Sequence, residues 1–178
     1  MKYECGFSRR RLAAWIVVVL FGVALAPSCA SADPSPVKIA VFDFELEDVS
    51  AGAGIAGDKA DDAAQLNRAT AEARQLLAQS GRYAPVDVSA ADAEAVKNRQ
   101  LRDCNGCEAA VARKFGADQS FLGVVRRISR VDYVVRFQIR DAHTGKLVLE
   151  RDSGLRMGAN YSWDRGVASL LRSGLLGQ

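Results

Sequence analysis

Two hydrophobic rhythms alternate along this chain, and they predict most of its elements. Val37-Lys38-Ile39-Ala40-Val41-Phe42 is almost wholly apolar, as in a strand buried on both faces. The run then alternates to Glu47, with Phe42, Phe44 and Leu46 on one side and Asp43, Glu45 and Glu47 on the other. A Gly- and Ala-rich loop over 50–57 follows. From Asp61 to Gln79 the period lengthens, and Leu66, Ala69, Ala73, Leu76 and Leu77 form one helical stripe that Ser80-Gly81 ends. Tyr83 to Val88 reads as a short strand. Ser89 caps a predicted helix from Ala90 to about Leu101, with Asp92 in its first turn, where a negative charge suits the helix dipole. A helix over Cys107–Phe115 stops at Gly116.

Three strands are predicted next, over Ser120–Ser129, Val131–Arg140 and Lys146–Arg151. In the second, Tyr133, Val135, Phe137 and Ile139 alternate with polar residues. The turn from Asp141 to Gly145 joins the last two strands, with Gly145 supplying a positive φ. A final helix starts at the Ser162 cap and carries Trp163, Val167, Leu170 and Leu171 on one stripe. The order β-α-β-α-α-β-β-β-α predicts a single-domain α/β sandwich, a mixed sheet of about five strands packed with helices.

The first 32 residues follow a different logic. Lys2, Arg9, Arg10 and Arg11 precede Leu12–Leu25, a charge-free stretch of 14 residues, and Ala30-Ser31-Ala32 comes just before Asp33. A basic head, a short apolar run and a small-x-small site predict a secretory signal peptide over 1–32, cut before Asp33. The apolar run is short of the roughly 20 residues a membrane helix needs. Acylation of Cys29 is the lipoprotein alternative, but Ala26-Pro27-Ser28 is a poor context for it. Export therefore predicts a periplasmic protein with no stable membrane span after cleavage. Residues 33–36, Asp-Pro-Ser-Pro, read as a tether to one domain over 37–178.

Removing the leader changes the charge picture. The formal +3 of the whole chain resides entirely in residues 1–32, so the mature part is neutral. No basic excess remains to suggest nucleic acid as a partner. The neutrality hides a division, since residues 33–96 carry net −7 and residues 97–178 net +7. If the halves interleave in space, these charges pair across the fold; if they do not, the protein has two faces that dock on a charged partner.

The segments KIAVFDFELED, CNGCEAAVARKFGAD leading into FLGVV, VRFQIRDAHTGKLV and SWDRGVASLL resemble an uncharacterised family of secreted bacterial proteins, a domain of unknown function. The resemblance spans nearly all of residues 37–176, and the Cys-x-x-Cys-Glu and Ser-Trp-x-Arg-Gly motifs carry it. At the level of fold, the opening strand Ile39–Phe44 and the long helix after it are similar to the N-terminal domain of the periplasmic Tol translocation protein and to the curli-secretion lipoprotein. That similarity implies an α/β domain used for protein contacts. It transfers no site residues.

Candidate chemistry is sparse. Cys104 and Cys107 remain after cleavage, and in an oxidising compartment two cysteines this close pair with each other. Their place at a helix start would favour a thiolate, but Asp103 and Glu108 oppose one. The pair is therefore a structural disulfide or, alternatively, a redox site. No metal is predicted, because only one His is present to help two Cys. Gly52-Ala53-Gly54-Ile55-Ala56-Gly57 matches a dinucleotide fingerprint in form only, with Asp58, Asp61 and Asp62 crowding the following helix. Asp43, Glu45, Asp58 and Asp61 lie near the carboxyl end of the first strand and mark a possible ligand or cation crevice. His143, the only histidine, falls in a turn, and no Ser has an elbow motif around it. Trp163 is expected in the core; exposed, it would form an interface with Arg165.

No catalytic residues and no cofactor are assigned. The expected function is a non-catalytic, protein-binding or envelope accessory module with a protein partner in the cell envelope. The alternative is a thiol–disulfide or electron-transfer accessory built on Cys104 and Cys107.

Overall fold

The computed structural model describes residues 35–53, 59–89, 100–156 and 162–177. Its strands are β1 (Val37–Val41), β2 (Glu45–Asp48), β3 (Tyr83–Val86), β4 (Gln119–Arg127), β5 (Asp132–Asp141) and β6 (Leu147–Arg156). The helices are α1 (Lys59–Gln79), α2 (Cys107–Lys114) and α3 (Trp163–Leu171), the last running into a wider π-type turn over Arg172–Leu176. A 3-10 turn covers Leu101–Asp103. The helix predicted over Ala90–Leu101, with Asp92, lies almost wholly outside the described residues.

The sheet runs β3-β1-β4-β5-β6, and β2 also pairs with β4. β1, β2 and β3 are parallel to their neighbours, while β4, β5 and β6 are antiparallel. The expected mixed α/β sheet is present, with one refinement. The single strand predicted over Val37–Glu47 is two strands, β1 and β2, both paired with β4.

The register gives the reason. Val41 pairs with Phe121 and Glu45 with Val124, so β1–β2 spends four steps where β4 spends three. One extra residue moves every later side chain to the opposite face. Phe42 accordingly packs with Ala40 and Leu122 on one side, whereas Phe44 joins Ile39, Val41 and Phe121 on the other. The expectation that Phe42, Phe44 and Leu46 share a face is corrected on this point: only Phe44 and Leu46 do. Gly123 accommodates the irregularity, because any Cβ there would fall inside the Phe44 ring. Thr70 of α1 also supports it, its buried hydroxyl accepting the Phe44 N–H at 2.9 Å and donating to the Leu66 carbonyl at 2.9 Å.

The larger core lies where α1 and α3 cover one sheet face. Ala69, Ala73, Leu76 and Leu77 of α1 meet Trp163, Val167, Leu170 and Leu171 of α3 over the odd-numbered side chains of β5. Gly166 lets α3 come close, since a Cβ there would lie 3.0 Å from Leu155. Ser162 precedes α3 in extended conformation but makes no side-chain cap bond. The chain end is held instead by Arg82, which donates to the Leu175 and Leu176 carbonyls at 2.9 and 3.4 Å. A cation suits these unpaired helix-end carbonyls. On the opposite face a smaller core of Ala40, Phe42, Leu101, Ala112, Ala117, Leu122 and Ala142 lies beneath the 3-10 turn and α2.

Candidate functional site

Of the first-strand acids, those among the described residues each meet a different partner. Asp43 is exposed and pairs with Arg74 at 3.1 Å. Glu45 accepts the Leu101 and Arg102 amides at 2.7 and 3.2 Å and the Arg102 guanidinium at 3.2 Å, so it anchors the 3-10 turn. Asp61 accepts from Gln65 at 3.1 Å on the exposed side of α1. Asp58 and Gly54 to Gly57 lie outside the described residues; Gly52 and Ala53 sit in a turn closed by the Ala53 N–H on the Ser50 carbonyl at 3.0 Å.

The two oppositely charged halves of the chain interleave. Glu45 meets Arg102, Glu47 meets Arg126, Asp48 and Asp62 both meet Arg127, and Glu72 faces Arg172. In each pair an acid from the first half meets an arginine from the second.

Arg127 is the most buried of these arginines. It is 8% exposed, forks between Asp48 and Asp62, and places its guanidinium 5.8 Å from the Tyr133 ring and 6.0 Å from that of Trp163. Burial alone would lower its pKa; hydrogen bonds to Asp62, Tyr133 and Asp48 outweigh it and raise the value. Asp48 is held below the ordinary 3.8, first by the Ser50 hydroxyl and then by the Ser50 amide and Arg127. Trp163 itself is 1% exposed and tilted against Tyr133, with ring centres 5.5 Å apart. It is a core residue, not a surface anchor, because the sheet-facing stripe of α3 carries it inward. Arg165 is exposed and lines an open cleft of about 370 Å³ between α1 and α3, with Glu72, Asp164 and Arg172.

His143 lies in the β5–β6 turn, 62% exposed and 3.8 Å from Asp118. Asp141 organises that turn by accepting the amides of Thr144 and His143 and the Thr144 hydroxyl. Its pKa falls below the ordinary value, with the Thr144 amide as the main cause.

The remaining cluster surrounds the cysteines. Cys104 and Cys107 are joined as a disulfide with Cα atoms 5.6 Å apart, across a turn in which Asn105 and Gly106 have φ of 47° and 108°. Glu108, in the first turn of α2, is 0% exposed. Its Oε1 accepts from Gln138 at 2.8 Å and faces Arg140 Nε at 3.0 Å. The second oxygen, Oε2, is buried with no hydrogen-bond partner among the described residues. Arg140 lies flat against Gly106 and donates to the Gly145 carbonyl at 3.2 Å. A carboxylate oxygen of Glu108 lies within 4.8 Å of both sulfurs. That charge opposes the thiolate that disulfide exchange requires.

Sequence reasoning named Glu108 only as a flanking charge and missed Gln138 and Arg140. The signal was present in the alternation of β5: Gln138 and Arg140 share a face opposite the buried Phe137 and Ile139. Only the placement of α2 over that face reveals what they hold.

No curated protein matches the sequence. Among solved structures, the LpoB C-terminal domain from Salmonella enterica is 15% identical with a TM-score of 0.49, covering 72% of this chain and 88% of that one. Lipoprotein GNA1162 from Neisseria meningitidis is 22% identical with a TM-score of 0.45, covering 80% and 96%. The Tol protein expected from the opening strand and helix is represented by TolB from Acinetobacter baumannii, 18% identical with a TM-score of 0.43, covering 82% of this chain and 29% of that one. No helix among the described residues is long and apolar enough to cross a membrane. The model of DUF3280, a protein of unknown function (DUF2380), matches residues 37–175, and the chain belongs to that family.

Proposed function

We propose that this protein is exported to the periplasm, loses residues 1–32, and acts there as a non-catalytic module that binds an extended segment of another envelope protein along β6. The export half rests on the leader. A mature chain beginning at Asp33 by mass spectrometry is the expected result, and one beginning at Met1 would overturn it.

The observation that carries the binding half is the contrast between β6 and the short edge strands β2 and β3. The edge strands β2 and β3 have only four residues each, and β3 contains Pro85; shortness and proline both blunt an edge. By contrast, the edge strand β6 has ten residues, nearly all exposed, and no described strand pairs with its outer side. Leu147 and Val148 there are 46% and 54% exposed. Val148 is the extra residue of a bulge, since Ile139 pairs with Leu149 and Arg140 with Leu147. Beyond it lie Glu150, Arg151 and Asp152. An unpaired edge with this pattern suits an added strand that offers apolar residues to Leu147 and Val148 and mixed charges to the rest.

The test places a photo-crosslinking residue at Glu150, Ser153 or, as control, Arg113 on α2. The purified crosslinked protein is then added back and amide exchange in β6 is followed. Crosslinks from β6 but not from α2, with slowed β6 exchange, support the reading. Equal crosslinking from both sites, unchanged β6 exchange, or crosslinks only to a second copy of this chain would refute it.

A further inference from the structure

We propose that the Cys104–Cys107–Glu108 cluster is a redox-gated zinc site, closed while the disulfide is formed and opened by its reduction. The sequence offers two cysteines and one distant histidine, too few donors for a metal. The fold adds a third donor. It buries Glu108 completely and sets a carboxylate oxygen within 4.8 Å of both sulfur atoms.

An independent observation points the same way. Glu108 Oε2 is buried and has no hydrogen-bond partner among the described residues, although Oε1 accepts from Gln138 and forms an ion pair with Arg140. A buried carboxylate oxygen without a donor is costly, and such a group calls for an explanation such as an ion. The distances are also compatible. Zinc binds thiolate at about 2.3 Å and carboxylate at about 2.0–2.2 Å, so tetrahedral ligands stand roughly 3.5–3.8 Å apart. Reaching that spacing needs the sulfurs to separate once their bond is broken, while Glu108 is already near.

Charge balances in both states. With the disulfide intact, Glu108 is offset by Arg140. A dithiol reductant breaks the S–S bond, is itself oxidised to a disulfide, and leaves two thiols on the chain. Zinc then displaces two protons to solvent. The dication, two thiolates, Glu108 and Arg140 sum to zero, so Arg140 does not repel the ion from the completed site. The fourth position is left for water or an external ligand.

The test uses the purified protein, reduced with a phosphine and desalted without oxygen, then titrated with zinc and, separately, with cobalt. The expected result is one zinc per reduced chain, a sulfur-to-cobalt charge-transfer band, and binding at least about 100-fold weaker to the oxidised protein. Cys107→Ser should abolish the band. The paired change Glu108→Gln with Arg140→Gln strands no charge, and it should weaken zinc by at least the roughly tenfold that loss of an outer-shell partner costs. Zinc-edge X-ray absorption on the reduced wild type should show two sulfurs and lighter atoms, a result that does not depend on any variant folding. Absence of the cobalt band, a zinc shell lacking sulfur, or a folded paired variant that binds zinc as tightly as the wild type would each overturn the proposal.

Discussion

Replacing Arg127 with Met tests whether the opposite charges of the two chain halves hold the fold together. The side chain is 9% exposed, and its two acids, Asp48 and Asp62, are 18% and 16% exposed. Methionine keeps the stem but leaves two carboxylates facing one cavity, and it removes the cation from over Tyr133 and Trp163. Breaking a buried pair costs about 3–5 kcal/mol. Water reaches these acids in part, so the expected loss is at the low end, about 3 kcal/mol. For a domain near 150 residues that corresponds to a fall in Tm of about 6–12 °C. The neighbouring Arg126, half-exposed and 3.6 Å from Glu47, is the control: Arg126→Met should cost less than about 1 kcal/mol. Urea denaturation should be followed by far-UV circular dichroism, because Trp163 touches Arg127 and its fluorescence would respond directly. The midpoint should shift without a change in slope. If Arg127→Met costs no more than Arg126→Met, the buried fork contributes nothing and the reasoning fails.

Other expectations are equally specific. Gly123→Ala drives a methyl into the Phe44 ring and should cost about 1–3 kcal/mol, whereas Gly154→Ala on open β6 should be near neutral; thermal melts that rank the two alike would contradict this. Thr70→Val keeps shape but strands the Phe44 N–H, for a loss of about 1–3 kcal/mol by denaturant titration. Asp48 has a folded pKa below 3.8, so its stabilising contribution is complete above that value and disappears as the pH falls through the lower folded value. Asp48→Asn should therefore flatten the acid limb of a stability-versus-pH curve, and curves that stay parallel below pH 4 would exclude that role.

Much of this fold is legible in the amino-acid order because most elements bury a single face. The α1 stripe of Ala69, Ala73, Leu76 and Leu77, the α3 stripe from Trp163 to Leu171, and the alternation in β5 all point where the core lies. The break between β1 and β2 was not legible. Phe42, Phe44 and Leu46 alternate as one strand would, and the extra residue becomes visible only when β4 is laid beside them. The partners of the acids at the end of the first strand were not legible for a similar reason. Sequence places them near each other but says nothing of the arginines, from about 30 to 80 residues away, that meet Asp43, Glu45 and Asp48.

By itself, the sequence determined the α/β class, the helix and strand stripes and the charge division between halves. These are local or compositional properties, written in periodicity and counting. Tertiary structure alone decided that the charges pair across the fold, that Phe42 and Phe44 face opposite sides of the sheet, and that Glu108 lies buried near Cys104 and Cys107 with Arg140 opposite. The reason is physical: a side chain's partner and its access to water depend on which distant segment packs over it, and no local pattern carries that information.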